Sequence, residues 1–223
     1  LKRAARELPP HLRQPPPGTM SGQLTEFGSL VLLIGDYHTP QRKGDVPSCF
    51  KELLNTDKIG MVLCTGNVGS KSQVAQLQGI AGEDCKIVAG DGDFGFDFPE
   101  TAVTKVGEFT VGVIHGHQII PWGDQTALAK CAGRLGCDIL VWGHTHRHSI
   151  VSMAGKFLVN PGSATGACNA MGDFDITPSF MLMAVNGSNI VLYTYEENGG
   201  ETKVSINELK KEADGRMVAI APS

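Results

Sequence analysis

Neither sign of charge dominates this chain, its cysteines never fall in CxxC pairs, and it has no long apolar run; each lack removes a class of function. Nineteen Lys and Arg against 23 Asp and Glu give a formal charge of −4, and the basic residues gather on no single segment. That leaves no electrostatic footprint for nucleic acid. No apolar stretch approaches the roughly 18 residues of a membrane span, and the first residues carry no signal-peptide-like h-region. The expected location is therefore cytoplasmic, with membranes reached only through partners. The six cysteines (Cys49, Cys64, Cys85, Cys131, Cys137, Cys168) lack metal or redox spacing and are expected to be reduced, mostly buried small hydrophobes. Aromatics are only 6% of residues, whereas glycine reaches 28, a balance that suits a packed fold with many tight loops.

At 223 residues one domain with tails is the economical reading. Residues 1–28 are rich in Pro and charge without hydrophobic period and are expected to form a disordered tail; Met20 looks like a natural start, which makes 1–19 an extension. The domain is assigned to 29–210 and a flexible C-terminal tail to 211–223. Within it, Leu30–Ile34, Ile59–Cys64 and Cys85–Ala89 read as buried strands separated by helices at Pro47–Leu54 and Ser70–Ala81. That alternation predicts βαβ units in a largely parallel sheet. The second half reads mainly as strands, with one helix at about Asp124–Leu135. The fold class expected is α/β, a sandwich of two mixed sheets flanked by helices.

The residues just past the strand ends carry the chemistry. Gly35-Asp36-Tyr37-His38, Gly66-Asn67, Gly90-Asp91-Gly92-Asp93, His115-Gly116-His117 and Gly143-His144-Thr145-His146 each put a Gly beside an Asp, Asn or His. One such end is ordinary turn chemistry. Five in succession are hard to obtain that way, and ligands of α/β sheets sit beyond the carboxyl ends of the strands. Two histidines at i, i+2 on a true strand would face opposite ways, so His144 and His146 must lie past the strand end, with Gly143 easing the turn. Carboxylates and imidazoles suit zinc, manganese or iron, and there are more of them than one tetrahedral ion needs, which points to two adjacent divalent ions.

The motif series resembles the calcineurin-like metallophosphoesterases over nearly the whole domain. Within that superfamily, Cys64-Thr65-Gly66-Asn67, Val88-Ala89-Gly90-Asp91, the run Ile114–Asp124 and Asn160–Ala167 are similar to the small-subunit family of the retromer coat. The resemblance implies a first metal on Asp36, His38 and His146, bridged by Asn67 to a second on Asp91, His115 and His144, zinc or manganese being the expected ions. His117 would stand close by. Two residues depart from the superfamily's active members. Asn67 replaces a bridging carboxylate and, being neutral, offers a single good acceptor. Gly92 stands where active members carry the proton donor to the leaving group, and loss of a general acid costs about 10²–10⁴ in rate. Little or no phosphoesterase turnover is therefore expected, with His117 the one residue able to act as a residual acid.

The resemblance implies a binding role instead: a non-catalytic scaffold or adaptor subunit of retromer on endosomes. Ile119-Ile120-Pro121-Trp122 would be an apolar patch at the metal mouth facing the helical solenoid of the retromer scaffold subunit. Leu53, Leu54 and Leu182 match family positions lining a groove for regulatory proteins, and Tyr193 and Tyr195, at i, i+2 on one face of a late strand, suggest a second patch. Periodicity alone reads Leu54 and Leu182 as core. The alternative is a divalent-metal phosphodiesterase or phosphatase of low activity; a third reading is a silent fold stabilised by metal.

Overall fold

The structure, a computed structural model, describes residues 30–220. The expected tail at 1–28 lies outside the described residues. Three parallel strands open the fold: β1 (Leu30–Ile34), β2 (Ile59–Cys64) and β3 (Cys85–Ile87), linked by helices α1 (Ser48–Leu54) and α2 (Lys71–Ala81). β1–β2–β3 is one half of a seven-stranded sheet. The other half is antiparallel and is added on the far side of β1 by β9 (Ser179–Asn186), β10 (Asn189–Asn198), β11 (Glu201–Lys211) and β12 (Met217–Ile220).

A five-stranded sheet is built from β4 (Thr101–Val106), β5 (Phe109–Ile114), β6 (Ile139–Val141), β8 (Lys156–Asn160) and β7 (Ser149–Met153), in that spatial order, with β5, β6 and β8 parallel. Helix α3 (Gln125–Leu135) precedes β6. Its start is fixed by Asp124, whose side chain accepts from Ala127 N–H, and its end by Gly136 in the left-handed region.

Strand alternation assigns the layers. Val31 and Leu33 point into a cluster shared by both sheets, with Met181, Leu192, Val111, Val113, Val141 and Phe157. Leu32 and Ile34 point the other way, into a cluster under α1 and α2 with Phe50, Leu77 and Phe180. A third cluster seats α3 on the small sheet through Leu128, Ala132, Leu140 and Leu158. Each such Val, Leu, Ile, Phe or Met side chain, fully buried, contributes about 1.5–3 kcal/mol of transfer free energy, which is what holds two sheets between flanking helices.

The C-terminal stretch departs from the expectation. Residues after 210 read from sequence as a flexible tail, yet Met217–Ile220 pair antiparallel with Glu208–Lys211, and Met217 is buried in the inter-sheet core. The Asp214-Gly215 pair turns the chain there, with Gly215 N–H donating to Glu212 O at 2.8 Å. All six cysteines are free thiols.

Candidate metal centre

The strand ends converge because short backbone bonds tie one loop to the next. Asp36 N–H donates to Gly66 O at 2.9 Å, His38 N–H to Asn67 O at 2.9 Å, and Gly143 N–H to His115 O at 2.7 Å. Ser163 and Thr165 hydroxyls donate to the carbonyls of Asp36 and Tyr37, each at 2.7 Å. Asp36, His38, Asn67, His144 and His146 all take positive φ, between 49° and 71°. For residues with a Cβ this costs roughly 1–3 kcal/mol each and persists only where the surroundings over-determine it.

Gly143 works differently from the expectation that it supplies the turn. The left-handed residues are His144 and His146 themselves. A Cβ on Gly143 would stand 2.6 Å from Thr65 Oγ1 and 2.7 Å from Asp36 Oδ2, so glycine is required for close approach rather than for φ.

Six of the seven candidate ligands form two clusters, with Asn67 beside the second. Asp36 Oδ1, His38 Nε2 and His146 Nε2 are separated by 3.2, 3.5 and 4.0 Å. Asp91 Oδ1, His115 Nε2 and His144 Nδ1 are separated by 3.0, 3.3 and 3.6 Å. A tetrahedral ion with bonds of about 2.0–2.1 Å has ligand–ligand edges of about 3.4 Å, and both triangles have that size. Among the described residues these two groups have metal-binding composition and spacing.

The donor set fits a divalent ion on two further grounds. Asp36 is fully buried and its Oδ1 has no hydrogen-bond partner, while Oδ2 accepts from His144 N–H at 2.9 Å. A buried carboxylate oxygen without a partner is costly unless a cation faces it. Two of the four imidazoles are also held in the ligating orientation: His115 Nδ1 lies 2.7 Å from Thr65 O and His146 Nδ1 lies 2.7 Å from Ala167 O, so each Nδ1–H donates outward and each Nε2 faces into its cluster. Burial pulls the His38 value down to about 4, favouring the neutral ligand. His115 is raised: burial acts against it, and Asp36, Asp91 and the Thr65 carbonyl together outweigh that burial. Asp91 is held well below the usual carboxylate range, first by its bond with His115 and then by His144.

Asp93 was not singled out on the sequence, yet it anchors the loops. Its carboxylate accepts backbone N–H groups from Asn67 (2.6 Å), Val68 (2.8 Å), Gly69 (3.4 Å) and Gly90 (2.9 Å). The signal was the second Asp of Gly90-Asp91-Gly92-Asp93. Asp93→Ala should lower unfolding free energy by about 3 kcal/mol, since bonds to a charged group are worth about 1.5–3 kcal/mol and the donors are left buried. Urea denaturation measures this; a change within about 0.5 kcal/mol would mean that the carboxylate does not hold the loops.

His117 is half-buried, its ring centroid 5.3 Å from His115 and 6.2 Å from His144, and burial lowers its pKa. Of the expected mouth patch, Ile120 is 80% and Trp122 42% exposed, and Pro121 is also exposed. Trp122 stands edge-on to His144 with centroids 4.5 Å apart, which places this patch at the second cluster. Ile119 does not belong to it: its side chain is buried in the α3 cluster with Trp142 and Leu158. Exposed Phe94 follows Asp93 directly and was missed, because nothing in its local pattern marks it as uncovered.

The second patch is also smaller than expected. Leu53, Leu182 and Tyr195 are buried in the cluster under α1 and α2, where Phe180 packs edge-on against Phe50 and stacks on Tyr195. Leu54 and Tyr193 remain half-buried at its border. Register adds two residues that were missed: Ile206 is paired with Tyr193 and Val204 with Tyr195, and both are exposed.

Residues 30–197 match the model of the calcineurin-like phosphoesterase superfamily domain. Vacuolar protein sorting-associated protein 29 of Schizosaccharomyces pombe is 37% identical over 185 residues, covering 82% of this chain and 98% of that protein. The structure of Vacuolar Protein Sorting 29 from Cryptosporidium parvum superposes with a TM-score of 0.79 at 47% identity, over 83% of this chain and all of that one. Wild-type Vps29 from Entamoeba histolytica, crystallised with Zn²⁺, gives 0.75 at 43% identity over 80% and 98%. With the matched segment spanning both metal clusters and the relatives covered almost end to end, the chain belongs to the calcineurin-like phosphoesterase superfamily and, within it, to the vacuolar protein sorting-associated protein 29 family.

Proposed function

We propose that the chain is a non-catalytic scaffold or adaptor subunit of the retromer complex, acting in endosome-to-Golgi and endosomal protein transport. It binds the helical scaffold subunit, vacuolar protein sorting-associated protein 35, through the face that carries the metal centre. The observation that carries this reading is Ile120: a large aliphatic side chain, 80% exposed, beside exposed Pro121 and Trp122 at the mouth of the second cluster. Apolar side chains held out on a loop with a rigid base suit an anchor that fills a partner's pocket. No helix among the described residues is long and apolar enough to cross a membrane, and in this reading endosomes are reached through the complex. The border residues Leu54, Tyr193, Val204 and Ile206 form the second surface, for regulatory proteins. A pull-down of the scaffold subunit at micromolar protein tests the reading; no capture contradicts it.

Asp36, His38 and His146 would hold one divalent ion, and Asp91, His115 and His144 another, zinc or manganese by donor type. Such an ion, when bound, supplies charge to a phosphate oxygen. At the position where active members carry the donor to the leaving group this chain has Gly92, which has no side chain. The second reading, a phosphodiesterase or phosphatase of low activity, rests on His117 standing beside His115 and His144.

A further inference from the structure

The orientation of the Asn67 amide is fixed from two sides. Gly92 N–H donates to Asn67 Oδ1 at 2.7 Å, so the atom there must be oxygen. On the other side the amide faces Asp91 Oδ1 at 2.9 Å and His115 Nε2 at 3.0 Å. The carboxylate can only accept, so the atom facing it must be the NH₂. The amide NH₂ therefore points at two of the three ligand atoms of the second cluster and turns a donor, not a lone pair, towards them. Among the described residues no such amide is hydrogen-bonded to the first cluster, where Asp36 Oδ1 is buried without a partner.

We infer that the two metal positions load unequally, with the Asp36–His38–His146 position taking a divalent ion first and the Asp91–His115–His144 position opposed by the Asn67 amide. To present oxygen to the second ion the amide must rotate, and its NH₂ then meets Gly92 N–H, donor against donor. One carbonyl oxygen is asked to serve two partners. A carboxylate at position 67 would have an oxygen for each, so the conflict is specific to asparagine. Gly92 has a second part in it: its N–H holds the amide, and its missing side chain leaves the amide uncovered, since a Cβ there would lie 3.0 Å from Asn67 Oδ1. The order of loading does not depend on which partner the chain binds.

Titration of the chelator-stripped full chain with Zn²⁺ by calorimetry tests it. One tight equivalent is expected, lost in His146→Ala, and a second weaker by about tenfold or more, the scale of one unmade hydrogen bond. Asn67→Asp should strengthen the second. Because that change also adds charge, amide exchange at Gly92 separates the two causes. In the wild type its protection should hold through the first equivalent and fall with the second; in Asn67→Asp it should hold through both. Two equivalents of equal affinity in the wild type, or Gly92 protection indifferent to the second ion, would overturn the inference.

Discussion

Ile120→Asp is expected to weaken binding to the retromer scaffold subunit at least 100-fold while leaving the domain folded. The side chain is 80% exposed, so the fold loses no core contact when it changes. At an interface the same position would be desolvated. Removing an apolar anchor costs about 2–4 kcal/mol, and an unpaired carboxylate in its pocket adds a desolvation cost; a loss of about 100-fold is about 2.7 kcal/mol. Calorimetric titration of both variants against the scaffold subunit reads the loss. Val204→Asp, on the exposed face of β11, is the matched control and should bind normally. Equal loss in both variants, or none in Ile120→Asp, would move the interface away from the metal face.

The second large effect concerns catalysis. In manganese-supplemented assays of bis-p-nitrophenyl phosphate, the wild type should turn over at or near background, and Asn67→Asp with Gly92→His should raise the rate by about 10²–10⁴, the contribution of a general acid. Gly92 lies outside the left-handed φ region, so its backbone accepts a side chain. Space is the tighter condition: the new Cβ would meet Asn67 Oδ1 at 3.0 Å and His38 Cε1 at 3.9 Å. A contact of 3.0 Å asks residue 67 to give by a few tenths of an ångström. His144→Ala in the double variant should return the rate to background. Substantial wild-type turnover that His117→Ala abolishes would favour the enzymatic reading and make His117 the working acid.

Much of the fold was legible because its signals are local. Leu30–Ile34 and Ile59–Cys64 are continuous apolar runs, and Asp124 with Gly136 punctuates α3. The ligand set was legible for the same reason, since each member stands next to its own strand end and Gly. What escaped was set across strands. The direction of the Asn67 amide depends on Gly92 N–H and on the Asp91 carboxylate across the loop, which no spacing reveals. The division of Ile119 from Ile120 depends on α3 covering one and not the other. Leu53 and Leu182 looked like surface only by family position, and Tyr195 by its i, i+2 spacing from Tyr193; all three are buried in one cluster with Phe180 and Phe50. For β12 the signal was present, as Asp214-Gly215 ahead of Met217–Ile220, and four residues were too short a run to outweigh the expectation of fraying at a chain end.

The claim that the metal face is the docking face is tested most directly by hydrogen–deuterium exchange on the full chain with and without the scaffold subunit. Protection is predicted in peptides spanning 92–98 and 117–123, around Phe94, Ile120 and Trp122, with peptides from β10 and β11 unchanged. Protection confined to β10 and β11, with 117–123 exchanging as in the free chain, would contradict it.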